Sequence, residues 1–114
     1  MEIEVLVNDT YKNYQYLVVQ GPFCKCAYVR IPETHPFYRK SYDEVMDDET
    51  IYIPHGGFTY SEDKNCHFPS DEWHLGWDYG HRMETILGRE IDDGYSLEDI
   101  IDEAKEVIDS LEKK

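Results

Sequence analysis

Basic residues are scarce in this 114-residue chain: 11 Lys and Arg stand against 25 Asp and Glu, a formal net charge of −14. A polyanion of this kind is repelled by phosphates, so long nucleic acid is not an expected partner. Long apolar runs are missing as well. No stretch approaches the roughly eighteen residues that a membrane span needs, and no membrane partner is expected. The opening seven residues carry two acids and no base, unlike the charged start of a secretory signal. Cysteine is sparse: Cys24, Cys26 and Cys66 leave one thiol over in any disulfide scheme. Cys24 and Cys26 are also too close along a strand to bridge comfortably. That pattern predicts reduced thiols and a cytoplasmic location. Repeats, Gly/Ser linkers and low-complexity tracts are absent, which predicts one domain over 1–114. The chain also lacks a Ser-centred nucleophile elbow, a phosphate loop with its Lys, and a zinc-protease helix motif, and those enzyme classes are excluded.

What is present argues for an ordered core. Apolar residues make up 40% of the chain and aromatics 14%, with ten Tyr, too many for a disordered polyanion. The charge is uneven. Residues 1–40 are near neutral, whereas residues 41–63 hold seven acids (Asp43, Glu44, Asp47, Asp48, Glu49, Glu62, Asp63) and no base.

The fold class expected is α+β: a small, mostly antiparallel sheet of short strands with one C-terminal amphipathic helix on it. Ile3, Val5 and Val7 alternate with Glu2, Glu4 and Leu6, the period of a strand. Tyr14 to Gln20 is β-branched and aromatic and stops at Gly21-Pro22. Cys24 to Ile31 ends at Pro32. These three strands predict an antiparallel meander, followed by a loop over 32–50 containing one helical turn. Short strands are expected at Ile51–Pro54, at Phe58–Ser61 and at Trp73–Tyr79, the last with Trp73, Leu75, Trp77 and Tyr79 on one face. Ser96 with Asp99 predicts a capped helix start. Leu97, Ile100, Ile101, Ala104, Val107, Ile108 and Leu111 then form one apolar stripe, opposite Glu98, Asp99, Asp102, Glu103, Glu106 and Asp109.

Chemistry-bearing residues gather in two segments, His55-Gly56-Gly57-Phe58-Thr59-Tyr60-Ser61 and Trp73 through His81. The glycine pair permits positive φ and close backbone approach to a ligand. Thr59, Tyr60 and Ser61 add three hydroxyls. Asp78 and His81 bracket a glycine, where a carboxylate and an imidazole can orient one another, ligate a metal or bind a polar ligand. A tight turn and a structural Asp–His bond account for the same residues without function.

These motifs, in this order, carry a resemblance. With His35-Pro36-Phe37-Tyr38 and Tyr42-Asp43, the segments His55–Ser61 and Trp73-x-x-Gly76-Trp77-Asp78-x-x-His81 resemble a family of small uncharacterised accessory proteins of bacteriophages, prophages and other mobile elements. The likeness runs from about Ala27 to Leu111. Members of that family often continue after the last histidine with a small pair and Asp, where this chain has Arg82-Met83-Glu84. The resemblance implies a phage accessory protein opposing host defence, resident in the host cytoplasm, and no established reaction.

Three functional expectations follow. The first is a polar pocket binding a small, nucleotide-like ligand through His55, Gly56, Gly57, Thr59, Tyr60, Ser61, Trp73, Asp78 and His81, with Tyr60 or Trp73 stacking on it. Trp77 is expected in the core, and Arg30, Arg39, Lys40 and Arg82 supply local positive charge. The second is metal-assisted hydrolysis by His55, Asp78 and His81, with Glu84 or His35 as a further ligand. The third is an acidic surface, on the run 41–49 and the helix face 98–109, that captures a basic host nucleic-acid-binding protein. A zinc site from Cys24, Cys26, Cys66 and His67 ranks below these, because its paired thiols are spaced more tightly than usual.

Overall fold

The structure is a computed structural model and describes residues 4–20, 25–54, 57–62, 73–79, 82–86, 89–91 and 96–113. Its main layer is a five-stranded antiparallel sheet built from β1 (Glu4–Tyr11), β2 (Tyr14–Gln20), β3 (Lys25–Arg30), β4 (Tyr60–Glu62) and β5 (His74–Asp78). The strand order is β1-β2-β3-β5-β4, so the meander of the first three strands is extended by β5, and the short β4 closes the edge. A separate hairpin joins β6 (Arg82–Ile86) to β7 (Arg89–Ile91). The short helix α1 (Tyr42–Met46) precedes β4, and the long α2 (Leu97–Glu112) packs on β2 and β3. Among the described residues, no helix is long and apolar enough to cross a membrane.

β1 and β2 are joined by Lys12 and Asn13 at φ 50° and 70°. Two consecutive left-handed positions are the signature of the hairpin turn whose twist matches the strands. The alternation expected for Ile3, Val5 and Val7 fails inside β1. Val5 pairs with Val19 and Val7 with Val18, so a bulge at Leu6 puts the two valines on opposite faces of the sheet. Val5 is 46% exposed, while Leu6 and Val7 pack against the core.

Both faces of the central strands are covered. On the inner face, under α2, the register aligns Tyr16, Val29 and Leu75 in one row and Val18, Ala27 and Trp77 in the next. These residues are buried in the main core with Tyr79 and Phe58. The outer face carries Leu17, Tyr28, Gly76 and Tyr60 in one row, Val19, Cys26 and Asp78 in a second, and Arg30 and His74 in a third. Leu17 and Val19 are buried there, with Cys26 and Tyr28 against them.

α2 forms as its pattern predicts. Ser96 accepts the Asp99 N–H at 3.1 Å, and the Asp99 carboxylate accepts the Ser96 N–H at 3.2 Å, a reciprocal cap that satisfies two of the orphan donors at the helix start. Ile100, Ala104, Val107, Ile108 and Leu111 have no solvent exposure. Each large aliphatic among them contributes about 1.5–3 kcal/mol by leaving water. Two members of its expected outward face are tied to the sheet. Glu103 is half-buried and accepts from the Tyr79 hydroxyl at 2.5 Å and the Tyr52 hydroxyl at 3.0 Å. Asp109 stays toward solvent, its side chain 36% exposed, and pairs with Lys12 at 2.7 Å.

The segment 32–54 is threaded along α2 and does not hang free. Its one helical turn is α1, capped by Ser41 and Glu44. The strand expected at Ile51–Pro54 is absent. Tyr52 gives its N–H to the Ser110 hydroxyl of α2 at 3.0 Å, Ile51 gives its own to Asp48 O, and Pro54 has none to give. With these two donors turned to a helix and a turn, the segment joins no ladder. Ile51 is buried in the core nevertheless.

Candidate functional site

The two nominated segments meet where β4 pairs with β5. The approach to β4 is a tight turn. Gly57, at φ +82°, gives its N–H to Pro54 O at 2.8 Å. That left-handed position is the one the glycine pair was expected to supply. A Cβ at Gly57 would also stand 3.2 Å from Met46 Sδ. Phe58 is buried, its ring edge-on to Trp77 with centroids 5.7 Å apart.

From Thr59 onward the side chains divide. The Thr59 N–H donates to Gly76 O at 2.9 Å, and its hydroxyl donates to Asp78 Oδ2 at 3.4 Å. Tyr60 lies opposite Gly76 on the outer face, where its ring meets Tyr28 edge-on, centroids 5.3 Å apart at 82°. The Tyr28 ring lies over Gly76 so closely that a Cβ there would sit 2.6 Å from Tyr28 Cδ1. The aromatic pair fills the gap left by the missing side chain, a recognised way of stabilising a glycine in a sheet.

Ser61 and Trp73 belong to the other side. Ser61 pairs with Leu75 in the inner-face register, and its hydroxyl accepts the Tyr42 N–H at 3.0 Å. Trp73 packs against the inner core, and its indole N–H donates to Lys40 O at 3.1 Å. These two residues, nominated for ligand contact, pin the 40–42 backbone to the sheet. Trp77 is 1% exposed, in the core as expected, and its indole N–H donates to the Tyr79 hydroxyl at 2.8 Å.

Of the nine nominated residues, His55, Gly56 and His81 lie outside the described residues, and so does the Asp78–His81 pairing. Gly57, Thr59, Tyr60 and Asp78 remain around the edge turn, with Thr59 exposed and Tyr60 and Asp78 half-buried. Among the expected cations, Arg39 stacks on Tyr38 at 5.6 Å, Lys40 approaches Glu44 at 3.6 Å, and Arg30 shares its row with His74 two positions from Tyr28.

The metal reading centres on His55 and His81, which lie outside the described residues. Among the described residues, no three His, Cys, Asp or Glu side chains are grouped to hold an ion. His35, named as a further ligand, has both ring nitrogens engaged with backbone: Nδ1 with Phe37 N at 3.0 Å and Nε2 with Leu111 O at 2.8 Å. Glu84 lies in β6, and Cys24, Cys66 and His67 lie outside the described residues.

Residues that the sequence did not single out for a role complete the picture. Met46 supports the glycine turn, and Gly76 makes room for Tyr28. The signal for Gly76 was available: a glycine at the centre of a strand whose neighbours are Trp and Leu marks a close approach. No protein-family model matches the chain, and neither a curated protein nor a solved structure matches it.

Proposed function

We propose that this chain is a phage-type accessory domain that holds a small nucleoside-like ligand at the β4–β5 edge and so withdraws it from a host defence pathway. One observation carries the reading: the Thr59 hydroxyl meets the Asp78 carboxylate, and Tyr60, in an edge strand only three residues long, lies on the same sheet face as Asp78. A carboxylate with an adjacent hydroxyl suits the paired donors of a sugar diol or a base amino group, and a tyrosine ring suits a base face. The Thr59–Asp78 contact, at 3.4 Å, is long for an O–H···O bond, so a ligand donor can displace it at small cost. Gly57 offers a turn without a side chain in the approach. The test is isothermal calorimetry with a panel of nucleosides and nucleotides. Asp78→Asn and Tyr60→Ala should each weaken a detected binder at least tenfold while the fold persists. Absence of binding across the panel, or binding indifferent to both substitutions, overturns the reading.

A second reading rests on a different observation. Val45 of α1 and the apolar stripe of α2 share one core, so the exposed acids Asp43, Glu44, Asp47 and Glu49 lie on the same side of the sheet as Glu98, Asp102 and Glu106. Two acidic stretches far apart in sequence thus fall on one side of the sheet, which suits capture of a basic protein partner. Charge reversal at Asp47 and Glu49 should abolish capture of a basic protein, and Tyr60→Ala should not. The opposite pattern removes this reading.

A further inference from the structure

The glycine turn rests on a sulfur atom. Met46, the last residue of α1, accepts the Phe58 N–H on Sδ at 3.4 Å, and the same sulfur stands 3.2 Å from the position a Gly57 Cβ would take. Around this contact everything is fixed. The start of α1 is tied to β4 by the Tyr42 N–H on the Ser61 hydroxyl, Val45 is fully buried, and Phe58 is locked edge-on against Trp77. On the turn side the sulfur meets backbone, which has no rotamer to retreat into. Yet Met46 itself is only half-buried, so part of its side chain meets solvent. Methionine is the apolar side chain that mild two-electron oxidants convert into a polar one.

We propose that Met46 is a modification site for peroxides, and that its oxidation releases α1 from the Gly57–Phe58 turn. A sulfur lone pair attacks one oxygen of hydrogen peroxide and the O–O bond breaks. That oxygen becomes the sulfoxide oxygen, and the departing hydroxide, with the proton left by the attacked oxygen, forms water. Sulfur is oxidised by two electrons and the peroxide is reduced by two. The sulfoxide is bulkier than the thioether and strongly polar, and the space on the turn side of the sulfur is already occupied by Gly57 and the Phe58 N–H. Oxidation also draws electron density from the sulfur that accepts the Phe58 N–H, so the latch weakens and the helix, with its exposed acids Asp43 and Glu44, loosens from the turn. Methionine sulfoxide reductase with a thiol reductant removes the oxygen and restores the latch. The inference rests on packing alone, so it stands or falls separately from ligand binding at Tyr60.

The test uses the full chain treated with hydrogen peroxide, read by peptide mass mapping and by the rate of cleavage after Glu44 and Glu49 with a Glu-specific protease. Met46 sulfoxide should accumulate in the folded protein and cleavage at these two sites should accelerate several-fold. Reductase treatment should reverse both changes. Met46→Leu, compared before and after the same treatment, should show no acceleration. The proposal is overturned if Met46 is oxidised only in urea-unfolded chain, or is oxidised with no change in cleavage. It is also overturned if peroxide accelerates cleavage of the Met46→Leu protein, because the effect then belongs to Met1 or Met83.

Discussion

The imidazole of His35 joins the loop after β3 to the far end of the chain: Nε2 lies 2.8 Å from the carbonyl oxygen of Leu111, in the last turn of α2. The tautomer follows from the other nitrogen. Phe37 donates its N–H to Nδ1 at 3.0 Å, so Nδ1 bears no proton and Nε2–H is the donor to Leu111. One neutral ring thus satisfies a buried loop amide and one of the four orphan carbonyls at the helix end. The His-Pro-Phe-Tyr segment that contributed to the phage-family resemblance has this structural use.

His35→Ala removes both bonds and leaves the Phe37 N–H and the Leu111 carbonyl without them. An unmet buried polar group costs about 1–3 kcal/mol, so a loss of about 2–4 kcal/mol is expected in urea unfolding. Nucleoside binding at the β4–β5 edge, where it is detected, should be unchanged at temperatures at which the variant is folded. A loss under 0.5 kcal/mol would show that water replaces the ring.

Glu103 supports a second link between helix and sheet. Its two carboxylate oxygens accept from Tyr79 and Tyr52, and Tyr79 in turn accepts from Trp77, giving a chain of donors from the core to α2. Hydrogen bonds to a charged acceptor are worth about 1.5–3 kcal/mol, and Tyr79 has no solvent to turn to. Glu103→Ala is therefore expected to cost about 2–4 kcal/mol, and Glu103→Gln less, since an amide keeps one acceptor oxygen. Tyr52→Phe should cost less than Tyr79→Phe because Tyr52 is half-buried. In a double-mutant cycle, Tyr79→Phe should add little once Glu103 is Ala, and full additivity would show that the chain is not coupled.

The elements legible in the sequence were those specified by one local pattern. α2 had both its stripe and its cap, and β2 had a run of β-branched and aromatic residues ending at a glycine-proline turn. β1 read correctly as a strand, but an alternation of Val5 and Val7 looks the same with or without a bulge at Leu6. The Lys12-Asn13 turn carries no glycine, and within Ile51–Pro54 Ile51 is buried in the core and Tyr52 is bonded to α2, contacts no local pattern records. The β6–β7 hairpin is rich in charge and without clear alternation, so its sequence gives no strand signal. At the site, motif order grouped Tyr60 with Ser61. Successive strand residues face opposite ways, and the period of two was sufficient to separate them.

The hairpin tip makes stability depend on pH at both extremes. The Lys12 ammonium, bonded to the Asp109 carboxylate, holds that carboxyl below its ordinary value of 3.8. The contribution is complete above about pH 4 and is lost as pH falls through the lowered value, when Asp109 is protonated in the fold. Four groups titrate at the alkaline end. The bond to Asp109 raises both Lys12 and Tyr11 from 10.5 and 10.0, and burial raises Tyr14 and Tyr16 from 10.0. Groups held above their unfolded values stabilise below them, so the fold should weaken as pH climbs past about 10. Glu106 and Glu112 reinforce the rise at Tyr11 and Lys12, and Lys113 reinforces the fall at Asp109. A melting series from pH 2.5 to 11.5 should show a plateau between two declines. Asp109→Asn should flatten the acid decline and shrink the alkaline one, leaving the share of Tyr14 and Tyr16.

Gly76 tests whether the outer aromatic pair is a built feature of the edge. A methyl at this position would stand 2.6 Å from Tyr28 Cδ1 and 2.9 Å from Cε1, so the Tyr28 ring has to leave its place over the strand. The backbone oxygen of Ala27, 3.2 Å away, blocks retreat into the sheet. Overpacking of this kind costs about 1–3 kcal/mol, and Gly76→Ala is expected within that range in urea unfolding. The cost should nearly vanish in a Tyr28→Ala background, where the colliding ring is gone. Displacing Tyr28 also deprives Tyr60 of its edge-on partner, so Gly76→Ala should weaken any nucleoside binding seen at the β4–β5 edge, although Gly76 itself offers a ligand no side chain. Were stability to fall equally in both backgrounds, the Ala27 carbonyl would be the limiting contact. The aromatic pair would then be incidental to the glycine.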